Sequence, residues 1–128
     1  MTDKDIDTMT PQELDEAWAC AIGWRLQPEW GADKEPAWVD AEGRWKCWPA
    51  HLPSPSTNWS HWGLVYEFMV GKGWRSRHYQ SDDGNTKWIF YKQSGPKDYW
   101  HREGNAPDLR TASEKAALKA LRGEGKGE

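Results

Sequence analysis

The stretch Trp74-Arg75-Ser76-Arg77-His78-Tyr79-Gln80-Ser81-Asp82-Asp83-Gly84-Asn85-Thr86-Lys87-Trp88-Ile89-Phe90-Tyr91-Lys92 decides the fold class. Asp82-Asp83-Gly84-Asn85 is rich in turn formers, so the two arms around it read as an antiparallel hairpin. Side chains alternate along a strand. Trp88 and Phe90 therefore share one face, Ile89 and Tyr91 the other, and Arg75, Arg77 and Tyr79 project together from the first arm. Ser94-Gly95-Pro96 ends the hairpin, and Tyr99-Trp100-His101 reads as a further strand.

Upstream, Gly71 and Gly73 close a helix expected over about 58–70, with Trp62, Val65, Tyr66 and Met69 at helical spacing. Leu64 and Phe68 widen that stripe, and Ser56, Thr57 or Asn58 can cap its start. Pro49, Pro53 and Pro55 exclude regular structure just before it. Residues 37–48 read as a hairpin around Asp40-Ala41-Glu42-Gly43, and 24–36 as an irregular connection. A helix over 11–22 carries the clearest start signal. Thr10, Pro11 and Glu13 form a capping box with proline at the first helical position, and Met9 with Leu14 fits a hydrophobic staple. Thr111 and Glu114 suggest a second capping box for a helix over 112–122.

The resulting order, α-β-β-α-β-β-α, implies an α+β domain in which three helices flank one small antiparallel sheet. Residues 9–122 are expected to form that single domain, between a flexible acidic N-terminus (1–8) and a disordered tail (123–128). Composition says what fills its core. Among 128 residues, Leu, Ile, Val and Phe number only 15, whereas 11 are Trp. So few aliphatics would indicate disorder in a highly charged chain, but the net charge is only −3. Indole rings, each burying roughly 150–250 Å², can replace the missing aliphatics. Trp18, Trp62 and Trp88 lie on core stripes. Trp24, Trp30, Trp48, Trp59, Trp74 and Trp100 flank loops or element ends.

Catalytic signals are few. His51, His61, His78 and His101 stand in no metal-binding or catalytic spacing, and Cys20 and Cys47 form no paired motif. Gly71-Lys72-Gly73 is too short for a phosphate loop, and Asp82-Asp83-Gly84-Asn85 lacks the distal Glu of a calcium loop. The chain reads as non-enzymatic, without cofactor or metal. No apolar run approaches the roughly 20 residues of a membrane span. The acidic opening is unlike a secretory signal, and reduced thiols in a cytoplasm are expected.

Binding signals are stronger. Between Lys72 and Arg102, seven basic residues face three acids, a balance of +4, whereas residues 3–16 carry six acids and one Lys. Arg75 and Arg77 beside Tyr79 could hold phosphate and stack a base. Ser56, Thr57, Asn58 and Trp59 could add backbone donors at a helix start. These seven residues are the expected ligand or partner site. A partner protein or a small anionic, nucleotide-like ligand is the first candidate, and a nucleic acid held by segment 72–102 is the alternative.

Three segments together resemble the phage ABA-sandwich domain family. They are Leu14-Asp15-Glu16 with Ile22-Gly23-Trp24, then Pro55-Ser56-Thr57-Asn58 followed by Trp62, Val65, Glu67 and Met69, and finally the closing run Ala112 to Leu121. The match spans about 9–122 and is structural rather than catalytic. Gly63, Leu64 and the extra Trp residues depart from it. The resemblance implies a helix-sandwiched sheet of phage or prophage origin, acting in the cytoplasm of an infected or lysogenic bacterium. A host protein as the partner and a counter-defence role are implied by that resemblance alone.

Overall fold

A computed structural model of the chain describes residues 2–93 and 99–125. Its elements are α1 (Asp3–Asp7), α2 (Pro11–Ala21), β1 (Arg25–Trp30), β2 (Glu35–Val39), β3 (Trp45–Cys47), a 3-10 turn at Pro49–His51, α3 (Trp59–Gly71), β4 (Arg75–Gln80), β5 (Thr86–Gln93), β6 (Tyr99–Ala106) and α4 (Leu109–Gly125). The class is α+β. The single sheet with three helices is corrected to two separate three-stranded antiparallel sheets, β1-β2-β3 and β4-β5-β6, with four helices.

The extra strand arises where an irregular connection was expected. Pro28 and Pro36 suggested a break, since proline cannot donate to a ladder. In the structure β1 is an edge strand, and both prolines fall inside the register shift between Gln27↔Ala37 and Trp30↔Glu35. The extra helix lies within the acidic segment 1–8, expected to stand outside the domain. Thr2 and Asp5 close a capping box there, and Ile6 is fully buried. At the other end, α4 extends through Gly125 into the expected tail; residues 126–128 lie outside the described residues, as do Ser94-Gly95-Pro96, Lys97 and Asp98.

The hairpin of β4 and β5 forms as read, closed by Ser81 N–H donating to the Asn85 carbonyl (2.8 Å), with Gly84 at φ +87°. α2 also starts as read. Thr10 Oγ1 accepts from Glu13 N–H (3.2 Å) while Glu13 Oε1 accepts from Thr10 N–H (2.9 Å). α4 starts differently. Asp108, not Thr111, is the capping side chain, accepting from Thr111 N–H (3.0 Å) and its hydroxyl (2.8 Å). Glu114 is released from the expected capping box and is buried inside the helix bundle.

α4 sits at the centre of the fold. Residues 112–120 are all buried, with β5 and β6 on one side and α1, α2 and α3 around the rest. Ala112, Ala116, Ala117 and Ala120 supply small apolar surface to every neighbour. Lys115 and Lys119 carry their ammonium groups along the helix to its rim. There Lys115 donates to the Asp7 carbonyl (2.9 Å) and Lys119 pairs with the Asp7 carboxylate (2.7 Å). Arg122 pairs with Asp3 in the same way. The N-terminal acids thus neutralise cations on the central helix.

Helix and sheet meet closest at Gly104 of β6. A Cβ there would come within 1.9 Å of the Ala112 carbonyl oxygen and 2.6 Å of the Ala116 nitrogen. Both are backbone atoms, so no side-chain rotation can relieve the clash. Gly104→Ala is expected to lower stability by about 3 kcal/mol, the upper range for overpacking, read as a drop in the denaturant midpoint.

Candidate binding site

The expected site residues fall into two groups on opposite faces of the β4-β5-β6 sheet. The inner face, carrying Trp88, Phe90, Gly104 and Ala106, packs on α4 and reaches α3 through Trp88. Arg75, Arg77 and Tyr79 point the other way and are exposed. Ser56, Thr57, Asn58 and Trp59 precede or begin α3, on the helical side. The structure therefore keeps these seven residues apart as two surfaces.

At the start of α3, the groups expected to bind an anion are already occupied. Asn58 Oδ1 accepts from Ser60 N–H (2.9 Å) and His61 N–H (3.2 Å), capping the helix. Ser56 is buried, and both its N–H (3.1 Å) and its hydroxyl (2.9 Å) donate to the Asp15 carboxylate of α2. This link pins the proline-rich loop to the bundle. Burial pushes the Asp15 pKa up, partly offset by the two Ser56 hydrogen bonds. Glu114 of α4 faces the same carboxyl, and burial first, then the Asp15 charge, push it up to about 10. Neutral Glu114 is the form that fits beside Asp15, since two like charges there would repel in a dry environment.

Trp59 is the exposed end of an aromatic ladder. Its indole carries the Arg110 guanidinium 4.6 Å above the ring, and Arg110 also donates to the Thr57 carbonyl (3.0 Å). Trp62 follows edge-on at 5.5 Å, and its Nε1–H donates to Ser113 Oγ (2.6 Å). Tyr66 stacks on Trp62 at 5.6 Å, and Trp88 meets Trp62 at 5.9 Å. His78 then stacks on Trp88 at 4.9 Å and returns the ladder to solvent. Each ring immobilises the next.

α3 is apolar on nearly every side but buried on only one. Val65 and Met69 enter the core, whereas Leu64, expected to widen the core stripe, is exposed. Trp59, Gly63, Tyr66 and Val70 recur at i, i+4, i+7 and i+11, so they line one outward stripe. Trp59 is 57% exposed, Tyr66 39% and Val70 49%, and the space above Gly63 is open. Sequence reasoning singled out Trp59 but missed Tyr66, Val70 and Arg110 as its companions. The signal available was the hydrophobicity of the whole helix, which one buried stripe does not consume. On the helix's other flank, a cavity of about 240 Å³ lies between Trp18, Ile22, Trp24, Leu52, Leu64 and Phe68.

Of the eleven tryptophans, Trp18, Trp38, Trp74 and Trp88 are buried, and Trp45, Trp48 and Trp59 are exposed; Trp62 is half-buried. Ser56 donates directly to Asp15, and His61 Nδ1 accepts from Ser54 N–H (2.9 Å), so serine, histidine and aspartate form no relay. Burial, then Glu16, push the Cys20 thiol up, away from a reactive thiolate. No group of three or more metal-ligating side chains occurs among the described residues, and no described helix is long and apolar enough to cross a membrane. No family model matches the chain, and no curated protein or solved structure matches it.

The buried carboxyls make stability pH-dependent. Glu114 keeps its proton in the folded state up to about pH 10, against an ordinary value of 4.5. Its contribution is full below pH 4.5 and is lost as pH rises toward 10, because the folded state binds the extra proton. Asp15 has the same sign. Glu114→Gln is expected to flatten this decline and to raise stability by ~2 kcal/mol near pH 8, measured by denaturation across pH.

Proposed function

We propose that the chain is a non-enzymatic accessory domain that binds a partner protein through the outward stripe of α3. The observation that carries this reading is the exposure of Trp59, Tyr66 and Val70 around the open backbone at Gly63. A helix apolar all round is ordinarily buried, so the uncovered side suits a partner. Aromatic anchors dominate interface energetics, and ordering them beforehand lowers the cost of binding. Arg110 and Trp62 hold the Trp59 ring in that way. Gly63 lets a partner backbone approach closely between Trp59 and Val70. In the setting implied by the phage-type resemblance, the partner is a host protein and the outcome a blunted defence.

Trp59→Ala and Val70→Asp change exposed side chains, so both variants should keep the fold. Cross-linking capture from bacterial lysate, quantified against the unaltered chain, should show a discrete protein lost with either variant. Equal capture by all three chains would sink the reading. A concentration-dependent mass in solution that Val70→Asp abolishes would replace the foreign partner with a second copy.

A further inference from the structure

The face of the β4-β5-β6 sheet turned away from the helices is a regular grid. The strand register aligns Arg75, Tyr91 and His101 in one row, Arg77, Ile89 and Glu103 in the next, and Tyr79, Lys87 and Asn105 in the third. All nine positions share one face because each strand contributes alternate residues. Eight of the nine side chains are exposed or half-exposed, and only Ile89 is buried. This is open surface rather than a packed layer.

Its chemistry is uneven. Arg75, Arg77 and Lys87 oppose the single acid Glu103, whose carboxylate lies 3.5 Å from Lys87 and 3.2 Å from His101. Lys87 is thereby partly neutralised, leaving the two arginines of β4 as the main cations. They stand two residues apart on one strand, about 7 Å in rise. Aromatic rings are interleaved with the cations: the Arg77 guanidinium lies 5.9 Å from the Tyr91 ring, and Lys87 Nζ 6.0 Å from that of Tyr79. At the upper edge, Gly73, Arg75, Tyr91, Lys92 and Gln93 line a cleft of about 330 Å³. That volume falls within the range of small-ligand sites. It places a cation, an aromatic ring and an amide around one concavity.

We propose that this sheet face binds single-stranded nucleic acid, with backbone phosphates on Arg75 and Arg77 and an unstacked base in the cleft against Tyr91. Cations interleaved with aromatic rings on a flat sheet match a charged, stacking polymer; an acidic peptide would use the arginines but not the rings. Duplex is disfavoured because its bases are already stacked and a chain of net charge −3 offers no broad basic field. The site lies across the sheet from the α3 stripe and does not depend on it.

The test is fluorescence anisotropy of the full chain with labelled twelve-nucleotide oligo-dT and oligo-rU, alongside a duplex of the same length. Single strands of one or both sugars should bind, with a shallow salt slope of about −2 for at most three phosphate contacts. Arg75→Ala with Arg77→Ala should weaken binding by about 10-fold or more, and Tyr91→Ala by about 5-fold. Glu103→Gln should tighten it, by releasing Lys87. The α3 variants Trp59→Ala and Val70→Asp should leave it unchanged, separating this result from the fate of the protein-binding reading. Absence of binding, or equal binding by the double arginine variant, overturns the proposal. So does a duplex that binds as tightly as the single strands, or full displacement by polyglutamate at equal charge, which would reveal only an anion-attracting surface.

Discussion

The fold depends on how closely α4 can lie against β6. Gly104 leaves room for the Ala112 carbonyl and the Ala116 nitrogen, so backbone meets backbone without an intervening side chain. The alanines of α4 then present a narrow cylinder that a sheet and three other helices can surround. A helix with leucines at these positions would stand further from the sheet and leave voids around it. The large rings sit outside this cylinder, where Trp18, Trp74 and Trp88 fill the spaces between elements. Small residues at the centre and indoles at the periphery reconcile few aliphatics with a dry core.

Surrounding one helix on all sides creates a polar problem, and the chain answers it in two ways. Lysines at positions 115 and 119 reach the rim and meet Asp7. Glu114 cannot reach it and instead keeps its proton beside Asp15, whose remaining capacity Ser56 takes up. The acidic N-terminus and the proline-rich loop are thereby held by polar groups on or beside α4. The α3 stripe and the outer sheet face lie on opposite sides of the core, each backed by rigid packing.

Local signals were legible where one residue satisfies one backbone need. Thr10 with Glu13, Asn58 at the start of α3, and Gly84 in the β4-β5 turn all act as their spacing suggests. Non-local preferences were not. Pro28 looked like a break because an edge position with a register shift cannot be seen from a single strand. Glu114 looked like a cap because its spacing from Thr111 fits, yet Asp108 competes for the same backbone donor. Six of the seven expected site residues are exposed, but periodicity cannot say that a sheet separates them. Ser56 shows the limit most clearly: a small polar residue in a loop reads as available, and here it is a buried anchor.

The position of α4 in chain order has a consequence for synthesis. Its bonds to α1 span 108 residues from Lys115 to Asp7 and 119 from Arg122 to Asp3. Until residues 109–122 are made, α1, α2 and the inner face of β5 and β6 lack the helix around which they pack. Ile6, Leu14, Trp88 and Phe90 thus wait for α4 before the cluster they share with it can close. Such contacts are slow to form, and exposed apolar rings attract other chains meanwhile. The frequent charges in the segments flanking those rings then act as solubilising company for an unfinished core.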